Sequence, residues 1–273
     1  MPLIKHKRLP AETHGIMQRE RFFRILVLIM SSGSMAALFT FFIKKLPLLI
    51  AIPVLFLVFT LWIAELGRKH GRMVGVGTLL AYLILILLSL YVDYASSIIL
   101  SLVLLLFPFL WSMEFRGHSF GKTLNLLGIK SEKLLRNAAF GVLVTLFLIY
   151  PLIFLEAIAI THLGLEEPGG VARILKGLPI YLAVLSFTLT PFAEEIFFRG
   201  FLLDRIGILL SSLLFALAHF SYGSPTELAV AFTAGFTFAL MRRSRNSLIP
   251  SIAAHALFNL TTVIIVYFVG VPA

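Results

Sequence analysis

Most of this 273-residue chain lies in apolar runs about as long as a lipid bilayer is thick. A membrane-spanning helix needs roughly 20 predominantly apolar residues, with a range of about 17–25. Hydrophobic residues make up 59% of the chain and charged residues 13%, whereas soluble domains carry about 25% charged residues. The pattern excludes a soluble domain and a disordered chain. It predicts an all-α fold, a polytopic bundle of transmembrane helices.

The apolar runs number nine. In chain order they are Ile25–Ile43, Leu46–Ala64, Val74–Val92, Ala95–Trp111, Asn137–Leu155, Ile180–Leu203, Ile206–Phe220, Leu228–Met241 and Leu248–Val269. The seventh and eighth runs are short, so they either tilt into a thin region or form a packed pair that crosses incompletely. We therefore expect eight or nine spans, most simply nine.

The basic residues predict the orientation of the chain. With nine spans and a cytoplasmic N-terminus, nineteen of the 23 Lys and Arg residues fall on the cytoplasmic side, as the positive-inside rule requires. The net charge of +10 is thus divided among short loops, which argues against nucleic-acid binding. We expect an integral protein of the cell (cytoplasmic) membrane whose N-terminus is cytoplasmic. The chain has no cysteine, which excludes disulfides and thiolate nucleophiles.

Ionisable and amide side chains interrupt the apolar runs in the last third of the chain. They are Glu194, Glu195, Arg199, His219, His255 and Asn259. Such residues are expensive inside a membrane and are functional candidates by default. At about 1.5 Å per residue, those on the three helices lie at overlapping depths of roughly 10–20 Å. A polar contact that only joins helices is the alternative, but it accounts poorly for so many groups at one depth.

The spacing of these residues predicts which side chains share a helical face. Glu195 and Arg199 are four residues apart, share a helical face and can pair. Glu194 points about 100° away, so it can face a cavity while Glu195 holds Arg199. His255 and Asn259 also lie four residues apart on one face.

A buried glutamate beside a histidine can deprotonate water, because desolvation brings its proton affinity toward neutrality. A histidine and an asparagine on a facing helix can donate hydrogen bonds to a developing oxyanion. Together these groups predict hydrolysis of an amide or ester. Glu194, His219 and His255 are also a ligand set that zinc accepts, although no HExxH motif is present. The chain contains neither a GxSG-type serine motif nor a GxGD motif.

Three ordered motifs carry a family resemblance. Residues 194–199 read EEIFFR (EExxxR), residues 215–219 read FALAH (FxxxH), and residues 255–259 read HALFN (HxxxN). In this order on apolar segments, they resemble the CPBP (ABI) family, which includes the type II CAAX prenyl endopeptidases. The resemblance covers roughly Leu124 to Thr262 and begins with LLGI at residues 126–129. It implies a glutamate-dependent intramembrane endopeptidase.

By this resemblance, Glu194 would be the general base on water, assisted by His219. His255 and Asn259 would form the oxyanion hole, and Glu195 and Arg199 would support the site. No cofactor is required, although zinc held by Glu194, His219 and His255 is possible. The expected partners are membrane lipid and a membrane-associated protein or peptide substrate.

The resemblance also suggests a division of the chain. Residues 1–112 would be an N-terminal tail with four transmembrane helices, and residues 113–273 a CPBP-like protease core. A non-catalytic membrane protein, acting as an immunity protein or scaffold, is the alternative. A transporter is less favoured because the chain shows no clear internal repeat.

Overall fold

The computed structural model describes residues 11–43, 61, 63–91, 95–164, 176–219 and 225–269, and these contain helices and no strand. The expected all-α fold is therefore confirmed. The chain forms two compact units, Met1–Thr123 and Leu124–Ala273. The assignment of residues 1–112 to an N-terminal part and 113–273 to a protease core stays a prediction.

The first unit contains three long helices. They are α1 (Ala11–Ile43), α2 (Arg72–Tyr91) and α3 (Ala95–Leu110), the last continued by a π-helical turn at Trp111–Phe115. Helix α1 packs against both α2 and α3. A Cβ on Gly33 would lie 2.8 Å from the Cβ of Ala81, so the lack of a side chain allows α1 and α2 to approach closely. Helix α4 (Phe120–Leu127) follows.

The second unit contains every candidate site residue. Helix α5 (Leu134–Val144) passes through a π-helical turn at Thr145–Ile149 into α6 (Tyr150–His162). Helices α7 (Ile180–Phe187) and α8 (Leu189–Glu195) lead into a π-helical segment at Ile196–Leu202 and then α9 (Leu203–Ala218). Helix α10 (Pro225–Arg245) and helix α11 (Ile249–Ile264), with its π-helical end at Ile265–Val269, complete the unit.

Four segments in the described part are long and apolar enough to span a membrane. They are Ile98–Phe115, Leu134–Ile160, Ile180–Ala218 and Ile249–Val269. The expected count of eight or nine spans is therefore too high for the described residues. The sixth and seventh predicted runs belong to one helical segment, and the eighth is too short an apolar stretch within α10. The second run, Leu46–Ala64, lies almost wholly outside the described residues.

The segment Ile180–Ala218 is a hairpin rather than one straight rod. Gly207 has φ 81° and ψ 175°, which is not helical. In a straight helix the 17 residues from Phe198 to Phe215 would cover about 25 Å, yet the centroids of these two rings are 5.2 Å apart. The chain therefore reverses near Gly207, and α9 runs back beside the segment that contains the glutamates.

Helices α9, α10 and α11 pack together around the candidate site. Helix α10 packs against α9, α6 and α11, and α11 also packs against α5, α7 and α8. A buried apolar cluster joins α6, α10 and α11 through Phe238, Met241 and Ala254, among others. A Cβ on Gly141 would lie 2.2 Å from the carbonyl oxygen of Pro250, so α5 and α11 touch backbone to backbone there. This contact helps fix the helix that carries His255 and Asn259.

Candidate active site

Glu194 and Glu195 end helix α8 with different surroundings. Glu195 is fully buried, and its Oε1 accepts a hydrogen bond from Nη1 of Arg199 at 2.9 Å. The Glu194 side chain is 17% exposed, and its Oε2 lies 3.8 Å from Nε2 of His255. The two adjacent carboxylates thus have separate environments, one inside an ion pair and the other at the edge of the buried cluster.

The chain widens into a π-helix immediately after these glutamates. Leu203 N–H bonds to the carbonyl of Phe198, five residues earlier, and the π-helical segment contains Arg199. Single π turns are rare and are frequent at functional sites. Here the wider turn ends in the reversal at Gly207, which positions α9 against the same segment.

His255 on helix α11 faces both glutamates. Its Nδ1 lies 3.1 Å from Oε1 of Glu195, and its Nε2 faces Glu194. The imidazole is nearly enclosed, stacked against the ring of Phe238 with centroids 5.2 Å apart and meeting the edge of Phe215 at 5.7 Å. His255 therefore joins the last helix to the carboxylate pair and has little freedom to turn.

Arg199 lies in an aromatic enclosure. Its guanidinium carbon is 4.0 Å from the ring centroid of Phe215 and 5.3 Å from that of Phe238. Cation–π contacts of this kind are stronger when desolvated. Gly235 leaves room for the guanidinium, because a Cβ there would lie 2.8 Å from Nη2. Arg199 is thus held by the Glu195 carboxylate and by aromatic ring faces, in space that Gly235 on α10 leaves open.

His219 follows the last residue of α9, and its orientation is fixed by the backbone. Its Nδ1 lies 2.9 Å from the carbonyl oxygen of Phe215. A carbonyl can only accept, so Nδ1 donates, and the neutral ring then presents Nε2 as an acceptor. The His219 ring also packs on Phe215, with centroids 4.7 Å apart. Phe215 therefore touches both candidate histidines, His219 and His255.

Asn259 lies one turn beyond His255 on α11. Its Nδ2 donates a hydrogen bond to the carbonyl of Ser186 at 2.7 Å. An asparagine amide carries two N–H donors, so this contact fixes the amide and uses one of them. Helix α7 therefore orients a side chain that the sequence assigns to the oxyanion.

Several buried polar atoms in this cluster have no hydrogen-bond partner among the described residues. They are Oε2 of Glu194, Oε2 of Glu195, and Nε and Nη2 of Arg199. Buried polar groups are almost always paired, and exceptions point to a catalytic role or to bound water. Their concentration around two carboxylates marks the same place as the motifs.

The zinc alternative receives no support from the arrangement of the side chains. No three His, Asp or Glu residues in the described ranges are grouped so that they could hold a metal ion. Both nitrogens of His255 face carboxylates. Glu194, His219 and His255 are therefore not grouped as a zinc site among the described residues.

The structure adds three neighbours that the sequence did not single out. Phe238 packs on His255 and Arg199, and the Ser186 carbonyl holds Asn259. Glu227, in the first turn of α10, lies near His219, and burial raises the pKa of its carboxyl. Phe238 and Ser186 resemble ordinary helix residues in the sequence. Glu227 is an isolated acid directly before an apolar run, and this position is the only feature of the sequence that could have pointed to it.

Comparison with known proteins places this site in a recognised domain. Residues 176–261 match the family model described as type II CAAX prenyl endopeptidase Rce1-like. That segment holds all three motifs, so the resemblance inferred from them is confirmed there. The match supports an intramembrane protease function at the level of class, and the apolar helices make the chain a membrane protein.

The chain is also similar to the uncharacterised protein YpbD of Bacillus subtilis (strain 168). The two are 34% identical over 97 residues, which is 35% of this chain and 51% of that protein. The chain therefore spans about half the length of the curated relative it matches. No solved structure is significantly similar to the chain.

Proposed function

Starting from the Rce1-like match over residues 176–261, we propose that the protein is an intramembrane endopeptidase that hydrolyses a peptide bond with water activated by Glu194. One observation carries the choice of base. Oε1 of Glu195 is engaged by Arg199 and His255 and the side chain is fully buried, whereas Glu194 is 17% exposed and can be reached by water. Glu194 is therefore the carboxylate that can accept a proton from water.

The proposed reaction has two steps, attack of water on the peptide bond and collapse of the tetrahedral intermediate. Glu194 takes a proton from water while the water oxygen bonds to the peptide carbonyl carbon, and the carbonyl oxygen becomes an oxyanion. The tetrahedral intermediate then collapses, the C–N bond breaks, and the proton passes from Glu194 to the leaving nitrogen. His219 assists Glu194 because its Nε2 is an acceptor.

The oxyanion is assigned to His255 and Asn259. Nδ1 of His255 is held by Oε1 of Glu195, so the ring nitrogen assigned to the oxyanion is Nε2. The second amide N–H of Asn259 adds another donor, and preorganised donors of this kind lower the barrier substantially.

The proposal also covers the setting of the reaction. We assign the N-terminus and the basic loops to the cytoplasmic face of the cell membrane, following the positive-inside rule. The substrate is a membrane-associated protein or peptide. The site acts without a resident cofactor.

The test uses the full-length protein in lipid vesicles, with a library of prenylated and unprenylated C-terminal peptides and mass spectrometry of the products. Wild-type protein should cleave a subset, and Glu194→Gln should reduce the rate by about a hundredfold or more. Glu156→Gln is the matched control, because Glu156 is another carboxylate inside a span and contacts Thr233 rather than the cluster. Full activity in Glu194→Gln would refute the mechanism. Cell-based function retained by Glu194→Gln would favour the non-catalytic alternative.

A further inference from the structure

A basic cavity of about 280 Å³ opens at one end of the second unit, away from the glutamates. Its charged lining consists of Lys130, Lys133, Arg136 and Arg245 with one acid, Glu132. Amide and hydroxyl groups complete it, including Asn137 and Ser247. The excess of cations over acids suits an anion that carries several acceptor oxygens.

The cavity is built by two turns that face each other. Lys133 has φ 56° and precedes α5, and Asn246 has φ 48° and follows α10. Leu248 N–H donates to the carbonyl of Gly128 at 2.8 Å, which ties the two turns together. The cations therefore come from separate parts of the chain and converge because of the fold.

Part of the lining is ordered before any ligand arrives. The Arg245 guanidinium lies 4.0 Å from the ring centroid of Phe140, and Nη1 of Arg242 donates to Oδ1 of Asn246 at 3.3 Å. Asn137 is buried at the base of α5. In contrast, Lys133 and Arg136 are exposed and can close on a ligand.

The cavity lies where two membrane-spanning segments begin. The span Leu134–Ile160 starts directly after Lys133, and the span Ile249–Val269 starts two residues after Ser247. The first of these spans carries exposed apolar side chains: Leu135 is 83% exposed, Leu143 51% and Phe147 77%. A ligand in the cavity would therefore sit beside surface suited to hydrocarbon.

We propose that this cavity binds the phosphate of an anionic phospholipid, whose acyl chains lie along the exposed apolar side chains of the span Leu134–Ile160. Arginine and lysine recognise phosphate oxygens through charge-assisted hydrogen bonds, and basic pockets at the ends of membrane helices suit acidic headgroups. A soluble phosphate would use the same cations, but it would gain nothing from Leu135, Leu143 and Phe147. The apolar side chains therefore favour a lipid as the source of the phosphate.

The cavity is separate from the proposed catalytic groups. Ser247 precedes His255 by eight residues, about 12 Å along a helix. Binding can thus be measured without any assay of proteolysis, and neither result depends on the other.

The test is native mass spectrometry of the full-length protein in neutral detergent, titrated with dioctanoyl phosphatidylglycerol. Parallel titrations use dioctanoyl phosphatidylcholine, glycerol phosphate and inorganic phosphate. The variant Lys133→Gln/Arg136→Gln/Arg245→Gln should bind phosphatidylglycerol on the order of a hundredfold more weakly, because each surface cation contributes about fivefold. The control Arg72→Gln/Arg116→Gln/Lys122→Gln removes three exposed cations outside the cavity and should bind like wild type.

Three results would overturn the proposal. They are equal loss in the two triple variants, equal binding of phosphatidylcholine, and inorganic phosphate or glycerol phosphate binding as tightly as phosphatidylglycerol. If the triple variant does not fold by circular dichroism, Arg136→Gln alone should weaken binding about fivefold. Unchanged binding in that single variant would also contradict the assignment.

Discussion

Nδ1 of His255 lies 3.1 Å from Oε1 of Glu195, the same oxygen that accepts the hydrogen bond from Arg199. One carboxylate oxygen therefore joins helix α11 to α8 and to the π-helical segment. The arrangement makes Glu195 a structural centre, while the neighbouring Glu194 stays at the edge of the cluster.

Glu195→Gln should destabilise the protein as well as inactivate it. The substitution leaves the Arg199 guanidinium buried without its carboxylate, and breaking a buried ion pair in this way costs about 3–5 kcal/mol. Unfolding by denaturing detergent, followed by circular dichroism, measures the change. The control is Glu65→Gln, which breaks an exposed pair with Arg68 and should leave unfolding unchanged. Equal effects in the two variants would contradict the structural role of Glu195.

Asn259→Ala should lower kcat more than it raises KM. The amide is held by the Ser186 carbonyl and is proposed to donate to the oxyanion, and loss of one such donor typically reduces kcat about 10²–10³-fold. Steady-state kinetics on a cleaved peptide separates the two constants. Thr261→Val on the same helix removes a hydrogen bond to Tyr150 and should keep kcat within about twofold of wild type. A rise in KM alone would assign Asn259 to substrate binding.

Gly235→Ala should damage the site without touching a catalytic group. A Cβ there would lie 2.8 Å from Nη2 of Arg199 and 2.9 Å from Cδ1 of Phe215. One of these two side chains must move, and overpacking of this kind lowers the free energy of unfolding by about 1–3 kcal/mol. Both activity and thermal stability should fall. Gly121→Ala, where a Cβ meets nothing within 4 Å, should change neither, and identical behaviour of the two variants would contradict the close packing at Gly235.

Gly207→Ala should destabilise the hairpin through the backbone alone. A Cβ at Gly207 would meet nothing within 4 Å, but φ 81° with ψ 175° is a region that other residues avoid at a penalty of order 1–3 kcal/mol. The expected result is a lower unfolding midpoint and reduced activity. An unchanged midpoint would mean that the chain turns in another way.

Chelation should leave proteolysis intact. Because the described histidines and acids form no group suited to a metal, vesicles treated with 1,10-phenanthroline should cleave the peptide at the untreated rate, and added zinc should not increase it. Loss of activity on chelation with recovery on zinc addition would establish the metal-dependent version instead.

The sequence predicted the helical class because the apolar runs leave few alternatives in a membrane. The expected count of eight or nine exceeds the four segments found among the described residues, because the sixth and seventh runs fall within one of those segments and the second run lies almost wholly outside the described residues. Ile180–Ala218 reads as two runs on either side of Asp204 and Arg205, and only the φ of Gly207 shows how its two parts are joined. The packing of Gly141 on Pro250 likewise depends on a distant helix and has no local signal.

The contacts within the site could likewise be predicted from the sequence only in part. Glu195 and Arg199 pair within one helix, so their four-residue spacing was enough to suggest the contact. The contacts of His255 with both carboxylates, and of Asn259 with Ser186, join separate helices and require the tertiary structure. Phe238 could not be identified at all, since one phenylalanine among 26 carries no distinguishing pattern.

The reversal at Gly207 has a consequence for how water reaches a peptide bond in lipid. From Gly207 to His219, helix α9 covers only about 18 Å, against a hydrocarbon core of about 30 Å. A leg of this length is shorter than the hydrocarbon core, so its His219 end lies within the depth of the bilayer if Gly207 is at a surface. Polar groups at such an end draw in solvent and thin the local membrane. The hairpin would thus provide an aqueous inlet through which the second reactant of hydrolysis enters the site.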